Sequence, residues 1–228
     1  MGYLDELVKN DLLQKMCDNG QVLGKLRKAR LSLYEPPITI EKNELSIYQE
    51  DGYELSPSRL KKQIKVKKPI DQSRVFENKC WCLMYDLGFR NLNRNDHFSL
   101  PYGKSKEESQ QIDVVAINDD VAILIECKSS EVLADSDTDH RPYIDTLEKK
   151  IAGFKRSIEE LCGGPRRVKF VFATNNQTLG KTNIDILKKS RVFHLDNSGY
   201  DYLNNLILTY KASAHYQFMG MAFKGEII

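Results

Sequence analysis

Two carboxylates and one lysine lie close together in the second half of the sequence. Asp113 stands at the start of an apolar run (Ile112–Ile117), and Glu126 and Lys128 come at the end of the next one (Val121–Cys127). Both runs are rich in β-branched residues, and a short polar segment between them favours a tight turn. The pattern therefore predicts an antiparallel hairpin that carries all three side chains near one end.

The hairpin geometry brings these three groups within reach of one another. A turn centred near residue 119 places Asp113 opposite residues 125–127, beside Glu126, and strand alternation puts Glu126 and Lys128 on one face. The groups then meet within roughly 5–8 Å. Neighbouring carboxylates repel, and a divalent cation would offset that repulsion; carboxylates, a backbone carbonyl and waters suit Mg²⁺. Lys128 could orient or deprotonate a water, or stabilise charge on a phosphate.

This arrangement resembles the PD-(D/E)xK nuclease superfamily. The resemblance covers about 130 residues, from residue 73 to about 200, and rests on Asp113 followed by Glu126-Cys127-Lys128 after an apolar strand. The sequence departs from the family pattern in having Ile112, and not Pro, before Asp113. The resemblance implies an α/β fold: a restriction-endonuclease-like αβα core with a mixed central sheet.

The same resemblance implies the function and the role of each site residue. Asp113, Glu126 and the backbone carbonyl of Cys127 would bind Mg²⁺, with Mn²⁺ as a substitute. Glu77, on the first core helix, would assist, and Lys128 would be catalytic. The implied reaction is hydrolysis of DNA phosphodiester bonds by metal-activated water, in defence or in restriction linked to DNA modification.

Two other interpretations of these residues stay open. The chain could be a catalytically inactive nucleic-acid-binding or assembly module with the same fold, or the hairpin could be an ordinary one with a salt bridge. Many members of the family act as dimers, which makes a homodimer one expectation. The segment Tyr200–Ile228 is similar to the one that joins such nucleases to DGQHR-type domains, so a further C-terminal domain in a longer chain is another.

The elements that must position these residues follow from periodicity and breakers. We expect an α+β accessory region over residues 1–70, a nuclease core over 71–213 and a tail over 214–228. The accessory region should contain two helices, over 3–16 and 21–34, and short strands within 38–53. The core should be a sandwich around one mixed sheet, with helices over 73–88, 142–161, 183–190 and 200–216 and strands over 98–102, 112–117, 121–127, 168–173 and 192–195.

A basic run over residues 59–68 contains six cationic residues and no acidic one. It reads either as a solvated linker or as a strand whose cationic face follows a phosphate backbone. The expected nucleic-acid contacts are the lysines of this run and one on the helix over 142–161, namely Lys61, Lys62, Lys65, Lys67 and Lys150.

Charge and composition complete the expectations. The formal net charge is only +2, but residues 111–148 hold ten acidic residues against two basic ones, so this segment carries −8 and the remainder +10. An acidic centre in a basic surround suits a cation and a polyanion together.

The five scattered cysteines indicate a reducing cytoplasm, with Cys80 and Cys82 as buried apolar residues. No apolar run reaches membrane-spanning length. The spaced acids Asp135, Asp137 and Asp139 read as a solvated loop rather than a Ca²⁺ site.

Overall fold

The computed structural model describes residues 4–57, 60, 62–95, 98–103, 108–134 and 141–225. A six-stranded mixed sheet forms its centre. In spatial order the strands are β1 (Met16–Cys17), β5 (Asn91–Asn93), β8 (Val114–Ile117), β9 (Val121–Ala134), β10 (Arg167–Gln177) and β11 (Phe193–Leu195). The strands from β1 to β9 pair antiparallel, whereas β9, β10 and β11 are parallel. The predicted α/β class with a mixed central sheet is therefore confirmed.

Helices cover both faces of this sheet. In chain order the helices are α1 (Glu6–Lys15), α2 (Gly20–Arg30), α3 (Leu45–Glu50), α4 (Gln72–Asp86), α5 (Arg141–Cys162), α6 (Lys181–Lys189) and α7 (Asn197–Ala222), and all of them except α3 contribute residues to the two hydrophobic clusters on this sheet. One hydrophobic cluster joins α2, α4 and α7 to the sheet, and we call this side the α4 face. The other joins α1, α5 and α6 to the sheet, and we call it the α5 face.

The pairing of β8 with β9 agrees with the predicted hairpin. Val114 pairs with Ile125 and Ile117 with Ala122, so the register is the one expected from a turn near residue 119. Alternate residues of the two strands enter different clusters: Ile125 packs on the α4 face and Leu124 on the α5 face. Because a slip by one residue would exchange the two faces, burial on both sides fixes this register.

The prediction of one continuous strand over 112–117 was wrong. The chain forms β7 (Ser109–Ile112), which pairs with β6 (Phe98–Pro101) in a separate two-stranded sheet, and β8 begins only at Val114. Asp113 lies between the two strands. The predicted strand over 98–102 is thus β6, but it lies outside the central sheet, where β5 and β1 stand instead.

The accessory region departs from its predicted strands. Within residues 38–53, where short strands were expected, only β2 (Ile38–Glu41) is a strand; a 3-10 turn (Lys42–Glu44) and α3 follow it. The helical start is stabilised by a capping box in which the Glu44 carboxylate accepts the Glu41 backbone N–H at 3.0 Å. The basic run does contain a strand, β4 (Gln63–Lys67), which lies between β2 and β3 (Glu54–Ser56) in a three-stranded antiparallel sheet.

The first two helices pack on the sheet of the predicted core. Leu12 of α1 is buried on the α5 face, Leu23 of α2 is buried on the α4 face, and β1 forms the edge of the sheet beside β5. A domain boundary near residue 70 stays a prediction.

Candidate functional site

The Asp113 carboxylate points back across the hairpin. Its Oδ2 accepts a hydrogen bond from the backbone N–H of Cys127 at 2.8 Å, which places it beside the residue that separates Glu126 from Lys128. The side chain of Asn93 forms hydrogen bonds with the irregular backbone around Asp113. Its Nδ2 donates to the Asp113 carbonyl at 3.1 Å, and its Oδ1 accepts the Val115 N–H at 3.0 Å. These hydrogen bonds connect the break between β7 and β8 to β5 and β9 and hold Asp113 in place.

Glu126 and Lys128 lie on one face of β9, as the strand period predicts. The Lys128 Nζ is 2.9 Å from Oε1 of Glu126. The Glu126 side chain is only 12% exposed, and its second oxygen, Oε2, is buried with no hydrogen-bond partner in the structure. A buried carboxylate oxygen without a partner is energetically costly, so this oxygen marks a place where a cation or a donor would be accommodated.

The three charges perturb one another. Burial and the adjacent Glu126 carboxylate raise the pKa of Asp113 to about 7, with a further contribution from Glu77. Burial lowers the pKa of the Lys128 ammonium, but Glu126 raises it by more, so it lies above its usual value. At neutral pH the lysine is charged, whereas Asp113 is close to half-protonated. A pair of carboxylates with one strongly raised pKa is typical of functional sites.

Glu77 of α4 contributes through its charge. Its side chain is half-buried, and its carboxylate acts electrostatically on both Asp113 and Cys127. Among the residues that the structure describes, however, no three His, Cys, Asp or Glu side chains are grouped so that they could hold a metal ion. A divalent ion at this place would therefore rely on the two hairpin carboxylates. This is compatible with Mg²⁺, which often takes one or two carboxylates and keeps several waters.

Asn93 is a site residue that the sequence did not indicate. It is fully buried, and its backbone carbonyl accepts the indole N–H of Trp81 at 2.8 Å. It lies in a polar stretch, Asn91–Asp96, that resembles a loop in composition, so no pattern in the sequence marked it.

A second polar pair joins the two neighbouring strands β10 and β11. Thr174, which is opposite Lys128 in the β9–β10 register, has its Oγ1 2.9 Å from Nε2 of His194. Burial lowers the pKa of His194 below its usual value. Its hydrogen bond links β10 to β11 beside the strand that carries Lys128, and no motif in the sequence pointed to it.

The predicted nucleic-acid lysines have different environments. Lys62 is exposed, Lys65 and Lys67 are half-buried on β4, and Lys67 places its Nζ 3.4 Å from the centre of the Tyr34 ring. Lys150 of α5 donates to Oε1 of Gln110 at 2.9 Å and lies over the Tyr102 ring. Lys61 falls outside the described residues.

The remaining predictions concern the cysteines, the acidic loop and membrane-spanning segments. Cys80, Cys82 and Cys127 are buried free thiols, and burial raises the pKa of Cys82 to about 11. The acidic loop with Asp135, Asp137 and Asp139 lies outside the described residues. Within the described ranges, no helix is long and apolar enough to cross a membrane.

Comparisons with known proteins identify no family. No family model matches the sequence, and no curated protein matches it significantly. Among solved structures, protein VC1899 from Vibrio cholerae is similar at 13% identity and a TM-score of 0.38, over 85% of this chain and 52% of that one. Can2 from Sulfobacillus thermosulfidooxidans, solved in complex with cyclic tetra-adenylate, is similar at 15% identity and a TM-score of 0.38, over 94% and 55%. The chain thus spans about half the length of either protein.

Proposed function

We propose that this chain is a metal-dependent nuclease that hydrolyses DNA phosphodiester bonds, with Asp113, Glu126 and Lys128 at its active site. The observation that carries the proposal is the unpartnered, buried Oε2 of Glu126 beside the Lys128 ammonium, with the Asp113 carboxylate fixed on the adjacent backbone. Mg²⁺ and a phosphodiester would supply the positive charge and the anion that these groups are arranged to receive.

Each residue has a role that follows from its contacts. Asp113 and Glu126, with the carbonyl of Cys127, would hold the metal ion, and Glu77 would add negative charge from α4. When bound, the ion would lower the pKa of water and withdraw charge from the phosphate. Lys128 is cationic at neutral pH because Glu126 keeps its pKa high. It is therefore suited to stabilise charge on a phosphate oxygen rather than to remove a proton.

A second candidate function is a nucleic-acid-binding or assembly module without catalysis. It is favoured by one observation: the described residues include no group of three metal-ligating side chains. This alternative predicts that the protein binds nucleic acid and leaves it intact in Mg²⁺ and in Mn²⁺. The first proposal also includes three further expectations: a homodimer, a further domain and a role in defence.

The decisive experiment is a cleavage panel. Wild type, Asp113→Asn and Lys128→Ala would be incubated with plasmid, linear, single-stranded and modified DNA in Mg²⁺, in Mn²⁺ and in EDTA. We expect metal-dependent cleavage by wild type and at least a ~100-fold loss in each variant, as for removal of a group that acts in the transition state. Lys25→Ala, on the exposed surface of α2, is the matched control for loss of one lysine. Equal cleavage by wild type and both site variants would contradict the proposal.

A further inference from the structure

A cavity of about 530 Å³ lies between α2, the segment that follows it and the beginning of α4. Three arginines line it: Arg30 from α2, Arg74 from α4 and Arg94 from the chain after β5. Among the described residues of the lining, one is a carboxylate, Glu35, which is 3.6 Å from Arg74. The described lining thus brings together three guanidinium groups, the side chains best suited to bind phosphate.

The Arg30 guanidinium is held in a fixed orientation. It lies 4.9 Å from the centre of the Trp81 ring, donates to Oδ1 of the buried Asn78 at 2.7 Å and donates to the Arg94 carbonyl at 3.2 Å. Arg94 in turn donates from Nε to the Met16 carbonyl at 2.8 Å. Because these contacts already restrict the side chains, binding an anion here costs less conformational entropy than at free surface arginines.

Apart from Ser32 and Asn78, the rest of the described cavity wall is apolar or aromatic. It is formed by Leu26, Tyr34, Pro36, Pro37 and Ile70. Guanidinium groups beside an aromatic and apolar wall suit a nucleotide unit, because the phosphate contacts the cations and the base or sugar packs on the wall. A simple anion would make no use of this second surface.

The cavity is connected to the candidate active site through a short series of contacts. Trp81, under Arg30, donates its indole N–H to the Asn93 carbonyl, and the Asn93 side chain donates to the carbonyl of Asp113. On its other side, Tyr34 contacts Lys67 of the basic strand β4. These contacts link the residues of the cavity wall to Asp113 on one side and to the basic strand β4 on the other.

We propose that this Arg30 cavity binds a phosphorylated nucleotide unit of the substrate strand. The inference rests on the proposed function, because it takes the substrate to be a DNA strand. It adds a second site at which that strand is bound. A free nucleotide has the same chemistry, so the experiment must separate the two sources.

The test is a binding titration without catalysis. In EDTA, a labelled short single-stranded oligonucleotide would be titrated by anisotropy, and thymidine 5′-monophosphate and thymidine by competition. Emission of Trp81, the one tryptophan of the sequence, reports occupancy beside Arg30. We expect the oligonucleotide to change this emission and to bind much more tightly than the mononucleotide, with thymidine weakest. A mononucleotide that binds as tightly as the oligonucleotide would overturn the assignment to a strand.

Two variants and one control separate this cavity from general electrostatics. Arg30→Gln and Arg74→Gln should each weaken oligonucleotide binding about tenfold or more and reduce the salt slope by about one. Arg30→Gln removes the contact with Trp81 and can therefore change folding or emission by itself. Arg74→Gln leaves that contact in place, so its effect on binding tests the cavity even if Arg30→Gln is perturbed. Lys25→Gln, exposed on the same helix α2, should change affinity less than about twofold.

The outcomes distinguish this inference from the proposed function. If Lys25→Gln weakens binding as much as the arginine variants, or if none of them does, the cavity is not a phosphate site. Cleavage by wild type together with that result would remove the inference alone. Arginine-dependent binding with no cleavage in any metal would support the cavity and contradict the nuclease proposal.

Discussion

Replacing Asp113 by asparagine should stabilise the metal-free protein at neutral and alkaline pH. In the fold, burial and Glu126 raise the pKa of Asp113 from 3.8 to about 7. A carboxyl with a raised pKa in the folded state leaves stability unaffected below its unfolded pKa. As the pH rises from 3.8 to about 7, folding increasingly opposes ionisation, and the full penalty is present above that window. Asparagine cannot ionise, yet its amide oxygen can still accept the Cys127 N–H.

The size of the effect follows from the pKa difference. Each unit corresponds to about 1.4 kcal/mol, so the shift sets an upper limit of roughly 4 kcal/mol at pH 8. We expect Asp113→Asn to raise the free energy of unfolding in EDTA by about 1–4 kcal/mol at pH 8 and by less than about 1 kcal/mol at pH 4. Mg²⁺ should stabilise wild type at pH 8, because a bound cation would offset the repulsion between the two carboxylates. It should not stabilise the variant, which has only one of them.

The measurement is urea unfolding followed by Trp81 fluorescence and circular dichroism at the two pH values. Asp119→Asn, in the exposed turn of the same hairpin, is the matched control and should change stability by less than about 0.5 kcal/mol. If Asp113→Asn is destabilising at pH 8, or if its effect is the same at pH 4, the repulsion between the carboxylates does not govern this site and the reasoning is refuted.

Two further predictions concern the supports of the site. Asn93→Ala should lower the free energy of unfolding by about 1–3 kcal/mol, because the buried N–H of Val115 loses its acceptor, and urea unfolding would measure it; a change below about 0.5 kcal/mol would mean that the break before β8 needs no side chain. Gly153→Ala should be destabilising by at least about 1 kcal/mol, since its new Cβ would overlap the Tyr102 carbonyl oxygen where α5 crosses β6. Gly220→Ala, with open space around it in α7, is the control and should be neutral or stabilising, and similar melting temperatures for both variants would contradict this packing.

The register of the hairpin could be predicted because two local rules determine it. A short polar turn sets which residues face each other, and period-two alternation sets the side of the sheet, so the contact between Glu126 and Lys128 followed from sequence alone. The main helices were predictable for a similar reason. In α4 the apolar residues recur at helical spacing and are buried, from Phe76 to Met84.

The parts that could not be predicted depend on contacts between distant residues. The break at Asp113 exists because Asn93, twenty residues earlier, supplies the hydrogen bonds that a neighbouring strand would have made. The two-residue strand β1 likewise depends on Arg94, whose N–H and Nε donate to the carbonyls of Lys15 and Met16. The helix α3 was taken for a strand because its apolar residues are too few to separate the two periods.

The proximity of Asp113 and Glu126 is imposed by the hydrophobic residues around them. Val114 and Ile125 are buried against the α4 face, and Val115 and Leu124 are buried against the α5 face, so neither strand can slide or turn to separate the carboxylates. Burial of these four side chains favours folding by several kcal/mol, on the order of 1.5–3 for each, which exceeds the electrostatic penalty at Asp113. The hydrophobic packing can therefore hold two repelling carboxylates together without a ligand. A cation bound between them would relieve this repulsion. On this reasoning the affinity for a divalent ion should increase as the pH rises through 7, since Asp113 no longer has to lose a proton first.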